Sequence, residues 1–303
     1  MSAPYTLNII GAGQVGQVLG KLWQAQGSVQ VQAVVNRSVN SAELAVGFVG
    51  AGKALTSINQ LSRADLILLG CADDALAQCI RQLAAASPDL EGCIIFHCSG
   101  ALSSQCLQIL QARGAHIASL HPVKSFADKQ QAYAGFAGTY CGLEGDIAAI
   151  TVLETLLIAI GGKPFVLKAE QKRLYHAASV MACNYLVALQ SISVKLLAES
   201  GVDEQLAMQI LQPLVSNTID NVFRLGLVKA LTGPIARGDV QTVQAQLTAM
   251  QDWYPPYADI YRLLGQEAWL LAKQQAKADE QALQHLAELL ANPPPTGHDT
   301  NRL

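Results

Sequence analysis

A glycine-rich run near the amino terminus has the spacing of a phosphate-binding turn. It stands between an apolar run, Leu7–Ile10, and a stretch with helical spacing of apolar residues. The run consists of Gly11, Ala12, Gly13, Gln14, Val15 and Gly16. Glycines at these places allow a tight turn, close approach of backbone to a pyrophosphate, and close packing of helix on strand. Since a helix amino terminus attracts phosphate charge, the run predicts a dinucleotide site.

The residues after the second predicted strand indicate which dinucleotide binds. Val29–Val35 is followed by Asn36, Arg37 and Ser38, without the carboxylate that bonds the ribose 2′-hydroxyl in NAD sites. Arg37 can pair with a 2′-phosphate and stack on adenine, while Asn36 and Ser38 can add neutral donors. We therefore predict NADP as the cofactor; the alternative is a turn with one solvated arginine.

Two further strand ends are expected to face this cofactor, because ligands bind beyond the carboxyl ends of parallel strands. The small residues that follow these strands are Cys71, Ala72, Ser99 and Gly100. They would let a nicotinamide ring lie close to backbone. Asp73 or Asp74 is interpreted as a helix N-cap. His97, inside a strand, is interpreted as a core residue with its hydrogen bonds satisfied.

Reduction of a C=O or C=N bond needs a hydride donor and a group that protonates or polarises the heteroatom. On a helix predicted to start near residue 170, Lys172, His176, Ser179 and Cys183 fall on one stripe, with Asn184 at its edge. His176 is the best proton donor, since its ordinary pKa lies near neutral pH. The alternative is solvation of Lys172 at the helix end and an ordinary buried hydrogen bond for His176.

His121 is a second candidate proton donor. It follows the predicted strand His116–Leu120, which places it at the same sheet edge as the cofactor, and Pro122 fixes the chain there. The alternative is a structural role, with His121 bonded to backbone at the domain junction.

A polar loop interrupts the later helices. Thr232 begins it, Gly233 and Pro234 form a rigid turn, Arg237 is suited to clamp a carboxylate, and Asp239 can cap the next helix. The alternative is an inter-helix loop with a surface ion pair. We expect one wall of a cleft to come from the strand ends at Ala72, Ser99 and His121. We expect the other to come from Lys172, His176, Asn184, Thr232 and Arg237.

The elements that position these residues indicate an α/β fold, a Rossmann-like parallel sheet domain followed by an all-helical domain. Short apolar runs alternate with amphipathic stretches up to about residue 167. Further predicted strands are Leu66–Cys71, Cys93–Cys98, Gly138–Gly142 and Lys163–Leu167, with a helix over Asp146–Ile160. Predicted helices follow over about 170–200, 203–229, 239–251 and 256–291. The predicted domains are 1–167 and 168–291, with a disordered Pro-rich tail over 292–303.

Composition favours a globular, cytoplasmic protein. The chain is 51% hydrophobic and 14% charged, and its net charge of −3 gives no attraction for nucleic acid or anionic lipid. Seven cysteines without a CxxC pair fit reduced thiols, and we predict no metal site. No signal peptide is visible, and the longest apolar stretch noted, Ile147 to Gly162, is interrupted by Glu154.

Several motifs resemble a group of dehydrogenase-like proteins in which a Rossmann-like domain precedes a helical domain of unassigned function. The motifs are GAGQVG (11–16), NRS (36–38), HCSGAL (97–102), SLHPVKSF (119–126), GTYCGLEGD (138–146), RLYHAASVMACNYLVAL (173–189) and LTGPIARGD (231–239). More distantly the layout is similar to pyrroline-5-carboxylate reductase, ketopantoate reductase and 3-hydroxyisobutyrate dehydrogenase. The resemblance implies hydride transfer to or from a small substrate, which it does not name. From the residues and the resemblance together we predict an NADP(H)-dependent oxidoreductase acting on a small oxo, hydroxy or imino acid. The resemblance also implies that the helical domain helps to form a dimer.

One departure affects the mechanism. Hydroxyacid dehydrogenases of this layout carry a Lys-x-x-Asn pair, and the corresponding stretch here runs from Met181 to Asn184. Methionine cannot transfer a proton, so that mechanism does not carry over. A non-catalytic NADP(H) sensor is therefore the alternative function, and a reduced deazaflavin is an alternative hydride partner. The apolar circumference of the helix Ala169–Ser200 predicts a homodimer.

Overall fold

An eight-stranded sheet organises the first part of the chain. The structure, a computed structural model, describes residues 3–86 and 89–291, so the predicted tail at 292–303 lies outside the described residues. The strand order is β3-β2-β1-β4-β5-β6-β7-β8, and every neighbouring pair is parallel except β6 and β7. The strands are β1 (Tyr5–Ile10), β2 (Val29–Val35), β3 (Lys53–Leu55), β4 (Leu66–Leu69), β5 (Ile94–His97), β6 (His116–Pro122), β7 (Tyr140–Gly145) and β8 (Lys163–Val166). The predicted Rossmann-like sheet is confirmed.

Strand β4 shows why these runs form a covered sheet. Leu66 and Leu68 pack in one hydrophobic cluster, whereas Ile67 and Leu69 pack in another. Because successive side chains of a strand point to opposite faces, both faces of the sheet are buried. Helices cover both faces, which is the arrangement that continuous apolar strands require.

The helices follow or flank these strands, with a π-helical segment, Val180–Asn184, between α7 and α8. They are α1 (Gln14–Gln26), α2 (Val39–Val49), α3 (Asp73–Ala86), α4 (Gln108–Gln111), α5 (Lys129–Ala134), α6 (Ile147–Ala159), α7 (Lys172–Ser179), α8 (Tyr185–Glu199), α9 (Glu204–Leu225), α10 (Leu227–Ala230), α11 (Pro234–Arg237), α12 (Val240–Trp253), α13 (Pro255–Gln275) and α14 (Glu280–Ala291).

Three long helices predicted from the sequence are interrupted. The one predicted over about 170–200 contains the π segment, the one predicted over 203–229 breaks at Gly226, which has a left-handed φ of 79°, and the one predicted over 256–291 is two helices. Ala276 separates the last pair, with a left-handed φ of 52°, and Asp279 caps the second of them by accepting from Ala282 N. Periodicity extends across these breaks, which is why the sequence predicts continuous helices there.

The reversed direction of β7 corrects the expectation for His121. His121 and Pro122 do not follow a strand; they form the end of β6, which pairs with β7 antiparallel. In this register His121 lies opposite Gly142, and Ser119 lies opposite Glu144. Because residues two apart share a face, the polar residues of β6 and β7 are gathered on one side of the sheet.

By packing, the chain divides into two units, Met1–Asn184 and Tyr185–Leu303. The division comes later than the change of sequence character at Lys168, because Lys172 in α7 bonds directly to residues of the sheet. The second unit is helical throughout its described part. Gly201 ends α8 with a left-handed φ of 89°, and Asp203 caps α9 by accepting from Leu206 N.

Much of the apolar surface of the second unit is exposed. No residue of Tyr185–Glu199, all of it described, is buried, and Val187 is 71% exposed. On α9 Phe223 is 86% exposed. Within the described residues, the helical run Ala169–Glu199 has the length and apolar composition of a bilayer-spanning helix, the only run that does. An exposed apolar surface of this kind is typical of an interaction site.

Candidate functional site

The glycine-rich turn sits between β1 and α1, as predicted. Gly11 has a left-handed φ of 70°, and a Cβ there would lie 2.6 Å from Cβ of Cys71. A Cβ on Gly13 would lie 3.1 Å from the carbonyl oxygen of Gly70, and one on Gly16 would lie 3.4 Å from Ile9. The glycines therefore let the turn pack closely on the residues that follow β4, and let α1 pack closely on β1. This close packing is what a dinucleotide-binding turn requires.

The first turn of α1 has backbone donors to offer. Gly13 is its N-cap and provides no side-chain cap, Gln14 is exposed and Val15 is half-buried. The first N–H groups of a helix have no partners within the helix, so this terminus can accept an anion.

Asn36 ties this turn to the end of β2. Ala12 N donates to Oδ1 of Asn36 at 2.7 Å, and Nδ2 of Asn36 donates to the carbonyl oxygen of Ser41 at 2.9 Å. Ser38 caps α2 by accepting from Ser41 N. Arg37 is exposed. Of the three residues predicted to hold a 2′-phosphate, Arg37 alone carries a side chain not engaged in a hydrogen bond within the described part of the chain.

Ser99 organises the loop after β5. Its Oγ donates to Oδ2 of Asp73 at 2.7 Å and accepts from the backbone N–H groups of Ala101 and Leu102 at 3.2 and 3.0 Å. This arrangement corrects the N-cap interpretation of Asp73: it is the first residue of α3, and its carboxylate bonds across to Ser99. Ala72, just before it, is exposed.

His97 is a core residue, as interpreted from the sequence. Ser99 N donates to its Nδ1 at 3.2 Å, so its Nε2 carries the proton and faces the carbonyl oxygen of Ser103 at 3.3 Å. Burial, with a smaller effect from Lys172, lowers the pKa of His97 to about 3. It is therefore neutral at physiological pH.

Two histidines and a tyrosine meet beside Gly100. His121 and His176 are T-shaped with ring centroids 5.8 Å apart. A Cβ on Gly100 would lie 2.8 Å from Nε2 of His121 and 2.4 Å from Nδ1 of His176, so both nitrogens face this backbone. Nδ1 of His121 lies 2.8 Å from the hydroxyl of Tyr175. The two predicted proton donors are thus neighbours, at the carboxyl ends of β5 and β6.

His121 and Tyr175 are both neutral near pH 7. Burial lowers the pKa of His121 to about 4, and His176 and Lys172 contribute in the same direction. Burial raises the pKa of Tyr175 to about 12. Nδ1 of His176 is buried and has no hydrogen-bond partner within the described residues. A buried nitrogen without a partner is costly, so a ligand atom there would satisfy it.

Lys172 is not solvated at a helix end, the alternative considered from the sequence. Its side chain is 1% exposed, and its Nζ donates to Leu102 O at 2.5 Å, to Ser119 Oγ and, at 3.4 Å, to Glu144. Glu144 accepts in turn from Ser104 N and Ser104 Oγ, both at 2.7 Å. The ion pair joins α7 to the loop after β5, to β6 and to β7.

Sequence reasoning missed Tyr175, Glu144 and Ser119 as members of this site. Each had a weak signal: Tyr175 precedes His176, and the two others are polar residues in otherwise apolar strands. Their importance comes from contacts between elements distant in the chain, which periodicity does not report.

The remaining predicted residues lie elsewhere in their own elements. Asn184 is exposed and ends the π segment. Thr232 is exposed before α11, and Arg237 is exposed at the end of α11, both in the second unit. Asp239 caps α12 as predicted, accepting from Thr242 N at 3.1 Å. That Asn184, Thr232 and Arg237 contact substrate stays a prediction.

Solved structures share this fold. Protein TM1727 from Thermotoga maritima is 25% identical, with a TM-score of 0.70 over 89% of this chain and 99% of that one. BF3122 from Bacteroides fragilis, described as a candidate NADP oxidoreductase, is 20% identical with a TM-score of 0.69, over 90% and 98%. A 1-pyrroline-5-carboxylate reductase from Streptococcus pyogenes is 13% identical with a TM-score of 0.59, over 90% and 99%.

Two family models match successive parts of the chain. Among curated proteins, none matches this sequence. Residues 2–122 match the family described as a Rossmann-like domain, and residues 139–268 match the one described as a domain of unknown function, DUF2520. The resemblance drawn from the motifs is therefore confirmed. The chain joins a Rossmann-like amino-terminal domain to a helical DUF2520 domain.

Proposed function

We propose that this chain is an NADP(H)-dependent oxidoreductase acting on a small oxo, hydroxy or imino acid. The observation that carries the proposal is the convergence of His121 and His176 beside Gly100. This cluster lies at the carboxyl ends of parallel strands, the edge to which the glycine-rich turn between β1 and α1 also belongs. In sheets of this kind, cofactor and substrate bind at that edge.

The cofactor site rests on the turn and on Arg37. The backbone of Gly11, Gly13 and the first turn of α1 would hold the pyrophosphate, and Arg37 would pair with a 2′-phosphate. When bound, NADPH supplies the hydride. The names of BF3122 and of the Streptococcus pyogenes reductase agree with this class of chemistry.

The chain's own residues would bind the oxygen that accepts the proton. Reduction of a carbonyl adds a hydride to carbon and a proton to oxygen. His121 and His176 are placed to hydrogen-bond that oxygen, and because His121 is neutral near pH 7 it would polarise the oxygen while the proton comes from water. In the loop after β5, the residues next to the histidines, Ser99 and Gly100, are small. Lys172 and Glu144 hold this loop and α7 together from beneath.

Cofactor choice gives the first test. NADPH should bind more tightly than NADH, and Arg37→Ala should remove most of the difference. A charged hydrogen bond contributes about 1.5–3 kcal/mol, hence roughly a tenfold to a hundredfold difference in affinity. Titration calorimetry with both nucleotides measures it. Equal affinities in the wild-type protein would contradict the NADP assignment.

Turnover gives the second test. Oxidation of NADPH would be followed with a panel of 2-oxo acids and cyclic imino acids. His121→Gln and His176→Gln should each lower turnover while leaving NADPH affinity within about twofold. NADPH binding without turnover of any panel member would instead favour the non-catalytic sensor.

A further inference from the structure

The Tyr175 hydroxyl is the hydrogen-bond partner of the His121 ring. It lies 2.8 Å from Nδ1, and the two rings are T-shaped with centroids 5.5 Å apart. Strand β6 holds His121 and helix α7 holds Tyr175, so two rigid elements set this contact. A side chain held by packing and a hydrogen bond keeps one orientation.

Gly142 provides the room for this contact. It lies opposite His121 across β6 and β7. A Cβ there would lie 2.6 Å from Cδ1 of Leu167 and 3.1 Å from the Tyr175 hydroxyl oxygen. Any larger residue would displace the tyrosine. The glycine is therefore required for space, since its φ is not in the left-handed region.

The direction of the hydrogen bond follows from acid–base chemistry. Both partners are neutral near pH 7, because burial raises the pKa of Tyr175 to about 12 and lowers that of His121 to about 4. A phenol is a stronger acid than a neutral imidazole N–H, and an imidazole nitrogen is a stronger acceptor than a phenol oxygen. The Tyr175 O–H therefore donates to Nδ1. A neutral imidazole has one N–H, so the proton of His121 is on Nε2.

That proton is directed to the place where His176 also presents a nitrogen. Nε2 of His121 and Nδ1 of His176 both face Gly100, and the latter is a buried atom with no partner in the part of the chain that the structure describes. The two histidines therefore present a hydrogen-bond donor, Nε2–H of His121, beside a nitrogen without a hydrogen-bond partner, Nδ1 of His176.

We propose that Tyr175 is a positioning residue that holds His121 as the Nε2–H tautomer, aimed as a hydrogen-bond donor at an acceptor atom of the substrate beside Gly100. The identity of that acceptor as a substrate atom rests on the proposed function, whereas the tautomer does not. Tyr175 acts through His121 and transfers no proton itself.

Nitrogen NMR of the free protein tests the tautomer directly. With 15N-labelled histidine, the couplings of the ring protons to Nδ1 and Nε2 identify which nitrogen is protonated. The chain has six histidines, and His121→Gln assigns the relevant signals by their loss. At pH 7 we expect an unprotonated Nδ1 in His121. In Tyr175→Phe the Nδ1 resonance should shift, because its donor is gone.

Tyr140→Phe is the matched control, since Tyr140 and Tyr175 both pack on the ring of Phe165. Their ring centroids lie 6.4 and 6.1 Å from that of Phe165. It should leave the His121 resonances unchanged. A proton on Nδ1 in the wild-type protein overturns the proposal, as does an unmoved Nδ1 signal in folded Tyr175→Phe. If Tyr175→Phe fails to fold, the wild-type spectrum alone decides. If the protein turns over a substrate but His121 carries its proton on Nδ1, the proposed function stands and the role of Tyr175 is wrong. If no substrate is turned over but the proton is on Nε2, the tautomer assignment stands and the proposed function is not supported.

Discussion

Single side chains at this site depend on space that glycine leaves. Gly100 has an ordinary φ, so its value lies in the missing Cβ, which would meet both His121 and His176. A methyl group on the Cα of Gly100 cannot be accommodated without moving at least one imidazole. Space at one residue therefore sets the geometry of two.

Gly100→Ala tests this requirement. We expect destabilisation of about 1–3 kcal/mol from overpacking, together with altered histidine NMR signals. Gly47→Ala is the control, because it lies in α2, a Cβ there would meet nothing within 4 Å, and its φ is ordinary. It should stabilise by about 0.5–1 kcal/mol through helix propensity. Chemical denaturation measures both, and equal effects of the two changes would contradict the steric argument.

His97 gives the protein a pH-dependent stability. Its pKa is about 3 in the folded protein against 6.5 when unperturbed, so between these values the unfolded chain binds more protons. The contribution of His97 to the free energy of unfolding is fully present above pH 6.5 and is lost as the pH falls towards 3. The slope from this residue is at most about 1.4 kcal/mol per pH unit.

His97→Gln should reduce that slope, measured by urea denaturation at pH 7 and at pH 5. The exposed His116 provides the control, and His116→Gln should keep the wild-type slope. A residual slope is expected in His97→Gln, because the pKa of His121 is also lowered. An unchanged slope in His97→Gln would show that His97 is not the buried neutral group described.

Among the elements, the ion pair of Lys172 and Glu144 is the buried ion pair of the described residues of the first unit. It is almost fully buried, with side-chain exposures of 1% and 3%. A buried charge that loses its partner costs about 3–5 kcal/mol, whereas an exposed pair contributes about 0–1 kcal/mol. The pair should therefore matter far more than a surface pair of the same chemistry.

Lys172→Met should lower the free energy of unfolding by about 3–5 kcal/mol, and Glu144→Gln added to it should restore part of the loss. Arg63→Ala is the comparison, since it removes the exposed pair with Asp89 and should cost no more than about 1 kcal/mol. Denaturation curves decide. Additive losses in the double variant would mean that the two charges do not interact.

The sequence predicts the elements better than the contacts between them. Apolar runs locate every strand except the short β3, and Val29–Val35 is predicted to the residue. The reversal at β7 escapes prediction because an apolar strand has the same pattern in either direction. The π segment also escapes, since one extra residue in a helical turn leaves periodicity almost unchanged.

The site shows the same limit. Glycines 11, 13 and 16 are predictable because the turn needs them locally. His121 and His176 are predictable as candidates from their chemistry. Their meeting with Tyr175, 54 residues from His121, is not, because it depends on how α7 packs against β6.

For the whole molecule, the apolar surface of the second unit requires a cover. A membrane span over Ala169–Glu199 is inconsistent with the structure, because residues in its first third make contacts within the first unit. These residues are Lys172, Tyr175 and His176. A second copy of the chain is the cover we propose.

Light scattering should give about twice the chain mass of 32.2 kDa at micromolar concentrations. Phe223→Asp, on the exposed face of α9, should shift the mass towards that of one chain, because it places a charge on an apolar surface. Arg224→Ala, at the neighbouring position, is the control and should leave the mass unchanged. A wild-type mass of 32.2 kDa throughout, or binding to uncharged lipid vesicles, would contradict the dimer.

Two short intervals, one in strand β6 and one in helix α7, have nearly the same length. From Ser119 to His121 the strand rises about 6.6 Å, and from Lys172 to His176 the helix rises about 6 Å. At one end of this interval Lys172 bonds Ser119, and at the other His176 meets His121. Deleting one residue between Lys172 and His176 would shorten the helix by about 1.5 Å and rotate it by about 100°. We therefore expect that an insertion or deletion in either of these two intervals would separate the two contacts, whichever side chains the altered segment carried.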